Sequence, residues 1–101
     1  MVKIITDAND IPQDKIVVID FFAEWCGPCK RIAPIYQELS DKFMNIVFLK
    51  IDVDESEKIS EAFGITALPT FIVINKGNIF KKLEGADMAQ LINIIEEVQK
   101  S

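Results

Sequence analysis

The chain has 101 residues, of which half are hydrophobic and 27% are charged, as expected of one folded domain (residues 1–101) and not of a disordered chain. Its 16 acidic and 11 basic residues give a formal charge of −5. This balance argues against nucleic acid as a partner, because phosphate binding requires clustered positive charge.

The first half of the chain alternates strand and helix patterns. Residues 2–5 predict a short strand, and residues 7–13 predict a turn or a stunted helix. The β-branched and aromatic run Ile16–Phe22 predicts a strand covered on both faces. From Pro28 onwards, apolar residues recur at three- and four-residue steps, which predicts a helix kinked at Pro34. Its apolar positions are Ile32, Ile35, Tyr36, Leu39 and Phe43.

The second half continues with another central strand, predicted for residues 46–52. A helix with an acidic start follows over residues 54–63 and stops at Gly64, which has the residue type of a C-cap. Residues 70–74 and 79–83 predict two strands joined by a turn.

The last predicted element is a helix capped by Asp87. Its apolar stripe consists of Met88, Leu91, Ile92, Ile95 and Val98. The resulting order β-α-β-α-β-α-β-β-α predicts an α/β fold, in which helices flank both faces of a central mixed sheet.

The two cysteines, Cys26 and Cys29, stand three residues apart at the start of the first long helix. The N-terminal segment is too short in apolar residues for a secretory signal, and no apolar run approaches the roughly 18 residues of a membrane span. We therefore expect a cytoplasmic location without membrane association. In a reducing compartment, a close cysteine pair is more often catalytic or metal-binding than structural.

Two purely structural interpretations of the cysteine pair, a metal site and a stabilising disulfide, are weak. A structural zinc site requires four ligands, and the chain offers two cysteines and no histidine, so no metal is expected unless a dimer shares it. A disulfide that closes so short a loop stabilises the fold little, because it removes little entropy from the unfolded chain. A passive pair of buried thiols stays open as an alternative.

A redox-active pair explains the flanking residues. Cys26 stands at the N-terminus of the predicted helix, where unpaired N–H groups and the helix dipole stabilise a thiolate that can attack a disulfide. Cys29, one turn later, is near enough to resolve the mixed disulfide. Gly27 lets the backbone bend tightly, and Pro28 limits the flexibility of the ring that a disulfide between Cys26 and Cys29 closes.

Three further residues near the pair are candidates for the same chemistry. Trp25 offers a flat amphipathic surface for docking a substrate chain, or else is a partly exposed core aromatic. Asp20 interrupts an apolar strand. If it is buried without a cation, its pKa rises towards neutrality and it can carry a proton, unless a bulge turns it to solvent. Lys50 is its candidate partner if the two strands are neighbours.

The string Trp25-Cys-Gly-Pro-Cys-Lys30 resembles the active-site motif of the thioredoxin family. One departure is Phe22, which stands where many thioredoxins have a second tryptophan. The resemblance covers nearly all of the chain and implies the thioredoxin fold. The other similar segments are residues 20–24, 33–34, 51–54, 63–71, 75–77 and 85–86.

The resemblance implies catalytic roles. Cys26 would be the attacking thiolate and Cys29 the resolving thiol. Asp20 would be the buried carboxylate that takes the proton from Cys29, with Lys50 near it.

The resemblance also implies how the site is tuned and where a substrate binds. Gly27 and Pro28 would tune the redox potential. Pro69 would be a cis-proline facing the disulfide, and the preceding Leu68 would offer backbone hydrogen bonds to an extended substrate. The substrate groove would be lined by Trp25, Ala67 and Gly85.

By this resemblance the chain would be a monomeric thiol–disulfide oxidoreductase that reduces protein disulfides and holds no bound cofactor. A thioredoxin reductase would regenerate it with electrons from NADPH, and peroxiredoxin-type enzymes are possible partners. Two rival functions remain: an oxidase or isomerase on the same fold, and a partner-binding subunit of a larger complex. Gly27 and Pro28 argue against the first, and the intact pair of cysteines argues against the second as its sole role.

Overall fold

A five-stranded mixed sheet organises the fold in the computed structural model, which describes residues 1–101. The strands lie in the order β1-β3-β2-β4-β5. β1, β3 and β2 are parallel, β4 is antiparallel to β2, and β5 is antiparallel to β4. The elements are β1 (Val2–Ile4), a 3-10 turn (Ala8–Asp10), β2 (Ile16–Phe22), α1 (Gly27–Lys42), β3 (Val47–Asp52), α2 (Glu57–Ala62), β4 (Thr70–Asn75), β5 (Asn78–Glu84) and α3 (Met88–Gln99).

Both faces of the sheet are covered, which confirms the predicted α/β class. α1 and α3 cover one face, where the largest apolar cluster lies, while α2 and the 3-10 turn cover the other. Side chains of a strand alternate between faces, so the even-numbered residues of β2 point towards α1. None of the helices combines the length and the apolar character that a membrane span requires.

Several element boundaries differ from the sequence-based expectations. Asp54 and Glu55 lie in a turn, and α2 begins only at Glu57, after the cap residue Ser56. Ile35, expected in the core, is 42% exposed, whereas Ile94 is buried. The buried apolar face of α1 is narrower than its sequence suggests, because only the side of the helix with Ile32, Tyr36 and Leu39 packs on the sheet.

The side chain of Tyr36 ties α1 to the sheet. Its hydroxyl lies 3.0 Å from the carbonyl oxygen of Val18 and 2.8 Å from that of Leu49, so one proton is shared between two strands. Burial raises the pKa of this hydroxyl well above its ordinary value, and the nearby Asp20 raises it further. Tyr36 therefore stays a hydrogen-bond donor across the working pH range.

We expect Tyr36→Phe to lower the free energy of unfolding by about 1 to 2 kcal/mol, because a buried hydrogen bond is lost while the ring packing is kept. Urea unfolding should show a lower midpoint with an unchanged slope. An unchanged midpoint would mean that the hydroxyl does not hold α1 against the sheet.

Candidate active site

One edge of the sheet gathers the residues around the cysteine pair. The parallel strands β2 and β3 end at this edge, and the antiparallel β4 begins there. The chain therefore brings together three segments that are distant in sequence. These are the β2–α1 turn with Cys26, the residues after β3 beginning at Val53, and the residues before β4 ending at Pro69.

Cys26 and Cys29 form a disulfide, with their Cα atoms 5.3 Å apart. Cys26 is the N-cap of α1, and its Sγ accepts a hydrogen bond from the backbone N–H of Cys29 at 3.2 Å. Gly27 and Pro28 are the first two residues of the helix. The sulfur thus occupies the position where a helix end stabilises a developing negative charge. No three Cys, His, Asp or Glu side chains lie together as metal ligands would.

A largely apolar groove of about 420 Å³ opens beside Cys26. One wall is Trp25, which is 71% exposed and whose indole Nε1 donates a hydrogen bond to Asp54 Oδ2 at 2.9 Å. Gly27 and Pro28 lie at its base beside Cys26. The opposite wall and floor are formed by Val53, Ile65, Thr66, Ala67 and Leu68.

Two residues expected at this groove, Pro69 and Gly85, are not among the residues that line it. Pro69 is buried, and its peptide bond with Leu68 is cis. Its carbonyl oxygen accepts a hydrogen bond from the N–H of Gly85 at 2.9 Å. Gly85 contacts Pro69 but does not line the groove. It directly follows β5, whose last residue, Glu84, pairs with Thr70 at the start of β4.

Four residues at the groove were not singled out from the sequence. Val53, Ile65 and Thr66 line it, and Asp54 fixes the Trp25 ring. All four lie in segments whose similarity to the thioredoxin family was noted. Nothing in a linear pattern distinguishes which side chains of those loops face inward.

Cys29 lies next to a second, smaller cleft of about 280 Å³ and does not line the large groove. This cleft is bordered by the start of α1, by Phe22 and by Lys50. Both cysteines are almost fully buried, with 4% of Cys26 and 3% of Cys29 exposed. The two sulfurs of one disulfide therefore belong to residues that border different spaces.

Asp20 lies on β2 on the face covered by α1, and it is fully buried. Neither carboxyl oxygen has a hydrogen-bond partner. Burial raises the pKa of Asp20 from 3.8 to about 7, although the positive charge of Lys50 opposes the rise. The carboxyl group can therefore both release and accept a proton near neutral pH.

Lys50 is the direct neighbour of Asp20 in the parallel pairing of β2 and β3. Its ammonium group nevertheless makes no hydrogen bond to the carboxyl group. Instead, Lys50 Nζ lies 4.4 Å from the centroid of the Phe22 ring. The cation and the carboxyl group are adjacent but unpaired.

A helix-capping cysteine in a disulfide, an apolar groove and a buried carboxyl group whose pKa is about 7 fit a thiol–disulfide oxidoreductase. A family model described as Thioredoxin matches residues 3–97. Thioredoxin 1 of Plasmodium falciparum is 46% identical over an alignment of 101 positions, which spans 96% of this chain and 97% of the relative. The chain belongs to the thioredoxin family.

Solved structures agree with this assignment. Plasmodium falciparum thioredoxin is matched with a TM-score of 0.88 and 45% identity, over 94% of this chain and 97% of that one. A chain in a complex of ferredoxin:thioredoxin reductase with thioredoxin f2 is matched with a TM-score of 0.89 and 34% identity, over 97% of this chain and 94% of that one. A third match has a TM-score of 0.89 and 35% identity, over 95% of this chain and 94% of that one. It comes from a structure that describes the thiol resolving mechanism of yeast mitochondrial 1-Cys peroxiredoxin via glutathione/thioredoxin systems. The predicted thioredoxin fold is confirmed.

Proposed function

We propose that this protein reduces disulfides in protein substrates, with Cys26 as the attacking thiolate and Cys29 as the resolving thiol. The observation that carries the assignment is the different surroundings of the two residues. Cys26 borders the groove that can accept a polypeptide segment, whereas Cys29 borders the separate cleft near Lys50.

The first step is attack by the Cys26 thiolate on one sulfur of the substrate disulfide. The substrate S–S bond breaks, a mixed disulfide forms, and the first substrate sulfur leaves as a thiolate. The N-terminus of α1 stabilises the attacking charge, and a substrate segment bound in the apolar groove would shield the reacting sulfurs from water.

The second step needs a base, because Cys29 must lose its proton before it attacks Cys26 Sγ. Asp20 is the proposed acceptor, since its pKa of about 7 lets the carboxylate form near neutral pH. The attack breaks the mixed disulfide, releases the second substrate thiolate and closes the Cys26–Cys29 disulfide. Two electrons pass to the substrate, and Lys50 would steady the charge of Asp20.

The cycle requires a separate reductant, which we propose is a thioredoxin reductase drawing on NADPH. Among the matched structures, thioredoxin f2 occurs in complex with ferredoxin:thioredoxin reductase, which supports a reductase partner. A peroxiredoxin is a second proposed partner, on the strength of the yeast 1-Cys peroxiredoxin work. We propose that residues 1–101 work as one domain, as a monomer in the cytoplasm, in electron transfer and redox homeostasis.

Substrate binding is proposed to depend on the groove wall formed by Trp25, with Gly27 and Pro28 tuning the potential. Pro69, although outside the groove lining, would still set the backbone of Leu68, and Gly85 would hold Pro69 in place. Ala67 and Leu68 would present backbone groups to an extended substrate segment.

Trp25→Ala is expected to slow the reduction of a protein disulfide about tenfold, because the apolar contact area of an indole ring is lost from the groove. The rate with a small disulfide, which needs no groove, should change little. Both rates are measured by stopped-flow thiol release. Trp25→Phe is the matched control, since it keeps an aromatic wall and loses only the bond to Asp54. Equal slowing with both substrates would remove the groove from substrate recognition.

The role of Asp20 is tested by Asp20→Asn. We expect the first adduct to form at the normal rate while its resolution at pH 7 slows about tenfold to a hundredfold, as when a general base is removed. Acid quenching followed by mass spectrometry measures both steps. Asp14→Asn, at an exposed position, is the control. Unchanged resolution between pH 6 and 8 would exclude Asp20 as the proton acceptor.

A further inference from the structure

Phe22 and Asp20 both lie close to the same cation, Lys50. Both side chains point towards the face of β2 that α1 covers, and Lys50 lies beside them on β3. The ammonium group sits 4.4 Å from the centroid of the Phe22 ring, and neither oxygen of Asp20 has a hydrogen-bond partner. The arrangement shows a buried acid whose neighbouring cation is bound elsewhere.

The two sites attract the cation by different physics. The face of an aromatic ring attracts an ammonium group through its quadrupole, whatever the protonation state of Asp20. A carboxylate attracts the same group strongly only when it is ionised, and more so in a partly buried environment. The half-buried Lys50 has a flexible four-carbon stem, which allows the ammonium group to reach either partner but not both.

We propose that Phe22 is a positioning residue for Lys50: its ring binds the ammonium group in competition with the Asp20 carboxylate and so controls how easily Asp20 ionises. With Asp20 protonated, Lys50 rests on Phe22. Ionisation of Asp20 draws Lys50 from the ring, at the cost of the cation–π contact. The proton affinity of Asp20 is therefore set in part by the residue at position 22. Its consequence for catalysis rests on the proposed function, but the competition itself does not.

The charged and titratable neighbours of Asp20 are few, which makes the competition measurable. Lys50 faces it from β3 and Tyr36 lies near it on α1, while the neighbouring position on β4 is the uncharged Phe71. In the oxidised protein, Cys29 is locked in the disulfide and does not titrate. The chain has no histidine, so no imidazole titrates near pH 7 beside Asp20. Glu24 and Lys30 border the smaller cleft beside Cys29 and Lys50, but their side chains are exposed.

The test is an NMR titration of the Asp20 carboxyl carbon in the oxidised protein labelled with ¹³C-aspartate. We expect Phe22→Leu to lower the midpoint by about half a pH unit, since the cation becomes free to stabilise the carboxylate. Phe22→Trp should raise the midpoint, because indole binds cations more strongly than phenyl. These opposite shifts separate the competition from a simple change of packing. If Phe22→Leu fails to fold, Phe22→Trp tests the same competition.

The decisive comparison repeats both substitutions in the Lys50→Met background. There the shifts caused by Phe22→Leu and Phe22→Trp should vanish, because no cation is left to share. Shifts of the same size with and without Lys50 would overturn the proposal, as would a wild-type midpoint that neither substitution moves. Since the titration uses no substrate and no turnover, it can fail while Asp20 still accepts the proton from Cys29. It can equally succeed if Asp20 has no catalytic role.

Discussion

Cys29→Ser is expected to turn this protein into a trap for its substrates. The variant keeps Cys26 at the helix N-terminus and in the groove, so the first attack proceeds and the mixed disulfide forms. Its resolution then waits for an external thiol. Turnover should fall at least about a thousandfold, because an attacking group held in place has a very high effective concentration. Mass spectrometry under non-reducing conditions should find the adduct on Cys26.

Cys26→Ser is the matched control for this experiment. It leaves Cys29 as the only thiol, outside the lining of the substrate groove, and should give neither turnover nor a substantial adduct. Adducts that accumulate on Cys29 in this variant, together with none on Cys26 in Cys29→Ser, would reverse the proposed roles of the two cysteines.

Removing the buried carboxyl group should stabilise the protein at alkaline pH. Burial raises the pKa of Asp20 to about 7 in the folded chain, whereas unfolding exposes the carboxyl group and returns its pKa to the ordinary 3.8. Between these values the folded state binds more protons than the unfolded state, so the free energy of unfolding falls as the pH rises. The total loss between about pH 4 and pH 8 amounts to about 4 kcal/mol. The stabilisation that comes from keeping Asp20 protonated in the folded state is complete below about pH 4 and is lost above about pH 7.

Asp20→Leu removes this dependence while keeping a side chain of similar size. We expect the variant to exceed the wild type in free energy of unfolding at pH 8, and the gap to shrink steadily as the pH is lowered to 4. Urea unfolding of the oxidised proteins measures the gap at each pH. Asp14→Asn, which changes an exposed carboxylate, should follow the wild type throughout. A gap that is constant with pH would mean that Asp20 is not a titrating buried group.

The strands and the redox pair could be predicted from sequence because their signals are local. Ile16–Phe22 is bounded in the structure as predicted, since its β-branched and aromatic run has no competing pattern. Cys26 and Cys29 are informative for the same reason, because helix start, glycine and proline lie within four residues. The helix predicted over residues 54–63 begins later in the structure, because Asp52 Oδ1 accepts a hydrogen bond from the Asp54 N–H at 2.9 Å and holds this segment in a turn before Ser56.

The groove and the contact of Lys50 with Phe22 could not be predicted, because both depend on contacts between segments that are distant in sequence. Ile65 and Thr66 face the groove only because the segment before β4 folds back against Trp25. Lys50 was correctly expected beside Asp20 on a neighbouring strand. Its preference for the ring of Phe22 depends on side-chain geometry across two strands, for which no pattern in the sequence gives a signal.

The most direct test of the central claim is the midpoint potential of the Cys26–Cys29 couple, measured in dithiothreitol buffers. The fluorescence of Trp25, the only tryptophan of the chain, reports the redox state. A value of about −270 mV, which is typical of thioredoxin, is the result that the proposed reductase function predicts. A potential between about −180 and −120 mV, as in disulfide isomerases and oxidases, would contradict it.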